Sequence, residues 1–210
     1  MPFIYSKDRI IDLGLSDYKE AHHFQLEVHS SVVLDNSNET IVITEHFPVY
    51  TLGGGKKTTD NGQRTMHGIQ VTPVERGGGI TYHGPGQIVG YPILNLEKRR
   101  WSIPQYLRRL ENTLIETLQE LGIEAEYREE YRAGLWVGSK KLVSIGIAVR
   151  REVAFHGFAL NVDCDLGPFR AIQPCGLTGD RITSLKELGC SVSNERVKEW
   201  VVKKLIQNFF

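Results

Sequence analysis

The sequence predicts an α+β fold, a mixed and largely antiparallel sheet packed by helices. Three observations carry this. Three segments have helical periodicity, six have the β-branched and aromatic composition of strands, and the strands follow one another in hairpin-like runs. A doubly wound parallel sheet would instead alternate strand with helix.

Taken in order, Ser16 begins a helix running to about Val28, and TIVITEH (40–46) is the first strand. The stretch LGGGKKTTDNGQRTMHG (52–68) has the composition of a mobile loop, a lid or rim. IQVTPV (69–74) and IVGYPIL (88–94) are strands. In WSIPQYLRRLENTLIETLQELGI, Leu107, Leu110, Leu114, Leu118 and Leu121 recur at helical spacing, Ser102 and Pro104 mark the start and Gly122 the stop. GLWVG (134–138), KLVSIGIAVRR (141–151) and VAFHGFALNV (153–162) are strands, and the last two adjoin with almost no loop, as a hairpin does. Val197, Val201, Leu205 and Phe209 share one face of a C-terminal helix.

At 210 residues the chain is expected to form a single domain, 1–210. Lysine plus arginine (25) balance aspartate plus glutamate (25), so no global charge steers it to nucleic acid or an anionic membrane. No apolar run approaches a membrane span, and the start lacks the pattern of an export signal. The three cysteines, Cys164, Cys175 and Cys190, form no CxxC pair, which argues against a disulfide framework and a thiolate zinc site. The expectation is a soluble protein in a reducing compartment, the cytoplasm.

Residues 76–86 read RGGGITYHGPG, five glycines around one arginine and one histidine. The lysine and hydroxyl of a P-loop are missing, and no GxGxxG opens a helix. There is no HExxH, and His22, His23, His29, His46 and His67 are read as structural or solvated. Glycines also let an organic chain lie directly on the backbone, whose N–H groups can bond an oxyanion. His83 is either a turn histidine satisfying backbone groups or a group lining such a site. Arg76 is either a surface cation or a guide for an anionic carrier.

Two further positions supply chemistry. Cys175 lies in IQPCGLTGD, between proline and glycine and outside any apolar periodicity, so it is not simple core filling. Cys164 is flanked by two aspartates, whose charge raises its pKa and blunts it. Cys190 precedes a serine-rich turn and is read as inert. On strand alternation Lys141 points with Val143, Ile145 and Ile147, while Ser144, Gly146 and Ala148 make a small-residue face. It is either an end-of-strand lysine snorkelling to water or a partly desolvated amine able to accept a proton near neutral pH. Lys140 points the other way, to solvent. A thiol and a tuned amine together point to acyl transfer through a thioester.

RGGGITYHGPGQ (76–87), GSKKLVSIGIAVRR (138–151), FHGFALNV (155–162) and IQPCGL (172–177), in this order and spacing, closely resemble the lipoyl(octanoyl) transferases of lipoate biosynthesis. The resemblance implies transfer of an octanoyl or lipoyl group from acyl carrier protein to a lysine of lipoyl domains. The acceptors it implies are those of 2-oxoacid dehydrogenases and the glycine cleavage H protein. It further implies Cys175 as the thioester nucleophile and Lys141 as the lysine that lowers its pKa. Arg76, Gly77, Gly78, Gly79, Ile80, Thr81, Tyr82 and His83, with Ser144, Ile145, Gly146, Gly157, Phe158 and Ala159, match the substrate-lining segments. The implied fold is like the catalytic domain of biotin and lipoate protein ligases, with no cofactor, metal, nucleic acid or membrane. An ATP-dependent ligase on the same fold and a non-catalytic carrier-binding module are the alternatives. The basic stretch RRWSIPQYLRR (99–109) is either a docking patch for acidic partners or an ordinary solvated helix face.

Overall fold

The structure, a computed structural model, describes residues 3–5, 9–35, 39–54, 65–128, 134–172 and 181–210. Its elements are β1 (Phe3–Tyr5), β2 (Ile10–Ser16), α1 (Tyr18–Leu34), β3 (Thr40–His46), β4 (Val49–Leu52), β5 (Thr65–Met66), β6 (Ile69–Pro73), β7 (Ile80–His83) and β8 (Gln87–Asn95). There follow α2 (Ile103–Glu120), β9 (Glu126–Tyr127), β10 (Gly134–Val137), β11 (Lys140–Arg150), β12 (Val153–Asn161), α3 (Gly167–Arg170) and α4 (Asn194–Phe209).

The main sheet has the order β1-β2-β3-β8-β12-β11-β10-β9. Every pair in it is antiparallel except β2 with β3. A second sheet, β5-β6-β4-β7, pairs β4 with β6 parallel and β4 with β7 antiparallel. The α+β class with mixed sheets is therefore as expected, but with two sheets rather than one. The second was hidden because β4, β5 and β7 are only two to four residues long, too short to show a period.

Alternation along the central strands makes both layers. On β8, Ile88 and Leu94 face one side while Val89, Tyr91 and Ile93 face the other. The first side is covered by α2 and α4, through Leu110, Leu114 and Leu118 and through Val197, Val201, Leu205 and Phe209. Each of these leucines, when fully buried, contributes about 1.5–3 kcal/mol. The second side is covered by α1, with Val32 packed among Val42, Val89 and Phe155.

Helix starts follow their caps. The hydroxyl of Ser102 accepts from Gln105 N while the Gln105 side chain accepts from Ser102 N, a reciprocal cap that opens α2 as its sequence predicts. The first helix starts later and runs further than expected. Ser16 ends β2 with its hydroxyl 2.7 Å from that of Thr44, and Asp17 caps α1 by accepting from Lys19 N and Glu20 N. The helix continues past Val28 because Val32, four residues on, is fully buried. Of the predicted loop at 52–68, residues 55–64 lie outside the described residues, and Thr65–Met66 form β5.

Candidate active site

The second sheet is laid against β11 by backbone contact. Gly77 N donates to Ile147 O (2.9 Å), and a Cβ on Gly146 would sit 3.1 Å from both Arg76 Cδ and Gly77 O. A side chain at 146 would thus press on another stretch of this same chain passing close by.

Arg76 organises the glycine run and is no surface cation. It is 8% exposed, and its guanidinium donates to the carbonyls of Gly77 (3.0 Å), Gly79 (2.9 Å) and Thr51 (2.8 Å) and to the Thr51 hydroxyl (2.8 Å). Three carbonyls from two segments converge on one fork of donors, which sets the path of residues 77–79.

Between this loop and the main sheet lies a cavity of about 540 Å³, counting the open water at its mouth. Arg76, Gly77, Thr81 and His83 line it from the second sheet and its loop; Lys141, Ser144, Ile145 and Gly146 line it from β11; Gly157, Phe158 and Ala159 from β12. Gly78, Gly79, Ile80 and Tyr82 are not among the lining residues. Tyr82 turns instead into a cluster with Tyr50 and Phe169, and Ile80 packs against that cluster. Tyr18, Val89, Tyr91 and His156 complete the lining and were not singled out from the sequence. His156 does lie within FHGFALNV; Tyr18 carries no local signal at all.

Lys141 is 4% exposed, and its burial on this side corrects the alternation argument. On β11, Val143 pairs with Leu135 and Lys141 with Trp136, so Leu142 is an extra residue with no partner on β10. Both Leu142 and Val143 then enter the apolar core, and Lys141 joins the Ser144–Gly146 face rather than the Val143–Ile145 one. Its stem lies over Gly134, where any side chain would collide with Lys141 Cε and Val143 O. Lys140 faces solvent beside Glu187 at 3.6 Å, as expected. Cys175 lies outside the described residues, which resume at Arg181. Ile182 bridges to Lys141, and Thr183 N donates to Lys141 O at 3.0 Å.

A line of side-chain amides fixes the state of His83. Asn161 Nδ2 donates to Thr183 O (2.9 Å), which leaves Asn161 Oδ1 to accept from Gln87 Nε2 (2.8 Å). Gln87 Oε1 must then accept from His83 Nδ1 (2.7 Å). A carbonyl can only accept, so the proton positions along the line follow from its far end. His83 therefore carries a proton on Nδ1, and because burial disfavours a second it is a neutral imidazole whose Nε2 lies 3.4 Å from the Thr51 hydroxyl. Burial, then the neighbouring His46, push its pKa down to about 3. His46 is likewise neutral: its Nε2 is 2.7 Å from the Tyr91 hydroxyl, and burial lowers it to about 4.

Tyr18 stacks on both His83 and His22, and His22 stacks on His156 at 5.4 Å. His156 and His22 stand beside Glu75, and the His156 contact is the largest cause that lowers its carboxyl to about 2. His29 Nε2 donates to Arg150 O at 3.0 Å from a buried position, and His23 is exposed beside Glu27. Cys164 is held inert more by burial than by its flanking aspartates, the two together pushing its thiol up to about 12. In the basic stretch, Arg99 is engaged by Glu39 at 2.6 Å and by Phe209 O at 2.6 Å, and Arg108 pairs with Glu111 at 3.1 Å.

Comparison with known proteins gives a consistent result. Residues 17–206 match the lipoyl protein ligase A/B catalytic domain. An octanoyltransferase of Geotalea uraniireducens (strain Rf4) is 44% identical over 190 residues, covering 90% of this chain and 87% of its own. One from Thermoanaerobacter sp. (strain X514) is 39% identical over 207 residues, covering 97% and 90%. Among solved structures, a putative lipoate protein ligase from T. acidophilum with bound lipoic acid aligns with a TM-score of 0.74 at 16% identity, over 97% of this chain and 86% of that one. The biotin protein ligase of Aquifex aeolicus aligns with a TM-score of 0.53 at 15% identity, over 97% and 69%. At such identities the structures speak to fold alone. The chain belongs to the lipoyl protein ligase A/B catalytic domain family.

Proposed function

We propose that this chain is an acyltransferase that moves an octanoyl group from acyl carrier protein to a lysine of lipoyl domains, through a thioester on Cys175. The acceptors in this reading are the lipoyl domains of 2-oxoacid dehydrogenases and the glycine cleavage H protein. The observation that carries it is the cleft itself: a buried amine, Lys141, at one side of a slot walled by Gly77, Gly146, Gly157, Phe158 and Ala159. Apolar walls suit a saturated tail, with about 0.8 kcal/mol gained for each methylene buried.

Cys175 precedes Ile182, the bridge partner of Lys141, by seven residues. An extended segment of that length spans at most about 25 Å, so thiol and amine are within tether range. In the first half-reaction the Cys175 thiolate attacks the carrier thioester, and the carrier's sulfur leaves and takes its proton from the Lys141 ammonium, which is left as the neutral amine. In the second, the acceptor amine attacks the enzyme thioester, an amide forms, and the Cys175 thiolate is regenerated while Lys141 accepts the amine's proton. The thioester already stores the activation energy, so ATP has no role in this cycle. An ATP-dependent ligase is not favoured, because the relatives of 39–44% identity are octanoyltransferases, whereas the ligases resemble the chain at 13–16%.

Intact-mass measurement after incubation with octanoyl-acyl carrier protein tests this. Wild-type protein should gain one octanoyl group, removable by hydroxylamine, and Cys175→Ser should gain no such hydroxylamine-labile group. An adduct retained in Cys175→Ser, or modification of acceptor domain only when ATP and free octanoate are supplied, would overturn the proposal.

A further inference from the structure

Three donor atoms from distant parts of the chain converge at the rim of the slot: Nε2 of His22, Nε2 of His156 and Oε2 of Glu75, all within 4.8 Å of one another. His22 lies near the start of α1, His156 within β12, and Glu75 just before the glycine run. The positions match no linear ligand motif, which is why the sequence shows no metal there.

The carboxylate oxygen is 3.2 Å from the His22 nitrogen and 3.5 Å from the His156 nitrogen, yet neither nitrogen makes a hydrogen bond of acceptable geometry. Both nitrogens are buried, and His156 as a whole is 1% exposed. The poor alignment weakens the contacts without removing them, since His156 still lowers the Glu75 carboxyl, and it leaves both nitrogens with capacity for a better-placed partner. The two nitrogen–oxygen spacings suit a metal: metal–nitrogen and metal–oxygen bonds of about 2.0–2.2 Å in a tetrahedron give ligand–ligand edges of about 3.3–3.6 Å, and the remaining nitrogen–nitrogen edge lies within 4.8 Å.

The backbone is also deformed to present this ring. His156 has φ +56°, a conformation that non-glycine residues adopt at a cost. Pairing of β12 with β8 lapses between Ala154 and Phe158 and resumes in the same register, and the His156 N–H is taken by Gln25 Oε1 of α1 at 2.9 Å. The guanidinium of neighbouring Arg76 is turned to the carbonyls of Thr51, Gly77 and Gly79.

We propose that His22, Glu75 and His156 form a binding site for a divalent transition-metal ion of the zinc or cobalt class at the rim of the slot. Two imidazoles and one carboxylate favour such ions over magnesium or calcium, which take oxygen ligands. Three protein ligands leave a fourth position open, and the Glu75 side chain, 46% exposed, gives access from solvent. The proposal goes beyond octanoyl transfer and does not depend on it.

Chelator-treated protein titrated with cobalt(II) chloride, followed by its visible absorption, and with zinc chloride against a chromophoric chelator, tests the site. One equivalent should bind, giving the visible bands of nitrogen and oxygen ligation without a thiolate charge-transfer band. His22→Ala and Glu75→Gln should each weaken binding by about 100-fold or more. His23→Ala and Cys175→Ser should leave it unchanged. Circular dichroism of each variant without metal serves as the folding control, and the Glu75 side chain is 46% exposed, so Glu75→Gln tests the site with little risk to the fold. Undiminished binding in His22→Ala and Glu75→Gln, a thiolate band that disappears in Cys175→Ser, or saturation only at millimolar metal would each sink the proposal.

Discussion

Lys141 reaches the slot because Leu142 has no partner on β10. Without that extra residue the lysine would share a face with Val143 and Ile145, under α2 and α4, where an ammonium group has no place. The bulge also explains why Gly134 must lack a side chain, since the lysine stem crosses its Cα. Removing the amine should therefore change chemistry more than fold, because the bond from Thr183 N to Lys141 O is a backbone one that survives substitution. On the proposed thioester mechanism, the pH dependence of Cys175 alkylation should move upward by about one unit or more in Lys141→Ala, as loss of a cation beside the thiol predicts. An unshifted profile would take the lysine out of the mechanism.

Among the elements, β7, β8, β12 and the chain entering at Thr183 are joined by one polar line through His83, Gln87 and Asn161, buried among apolar layers. Such a line is worth most when complete and is costly when broken. Asn161→Ala removes the member that orients the rest. The expected loss is about 1–3 kcal/mol in urea unfolding. The same variant should relax the His83 tautomer, readable from its imidazole nitrogen chemical shifts, because Gln87 Nε2 then keeps only its long 3.4 Å bond to Tyr82 O. Retention of a single Nδ1–H tautomer would show that some other contact holds it.

For the whole molecule, the buried histidines set the response to acid. His83 is lowered to about 3 and His46 to about 4, against 6.5 for an unperturbed imidazole. Between those values the unfolded chain holds protons that the folded chain refuses, so stability rises with pH there and is lost as pH falls below 6.5. Each histidine contributes up to about 1.4 kcal/mol per pH unit in that window. Denaturant unfolding should show stability level from pH 8 to 7 and declining steadily from 6.5 to 4.5. A level profile across the lower range would mean that these rings are solvated.

Composition was enough to locate the long strands from Thr40 to Asn161, rich in β-branched and aromatic residues, and periodicity the helices α2 and α4, whose apolar face repeats often enough to be counted. The four spaced blocks were enough to indicate the family, since glycines, a lysine and a cysteine at those intervals have few other uses. Three things rested on tertiary structure alone. The second sheet did, because its strands are too short to have a period. So did the side on which Lys141 emerges, because a bulge is a mismatch between two strands and belongs to neither. The meeting of His22, Glu75 and His156 was equally hidden, because donors 53 and 81 residues apart are brought together only by the packing of a helix and a loop on a sheet.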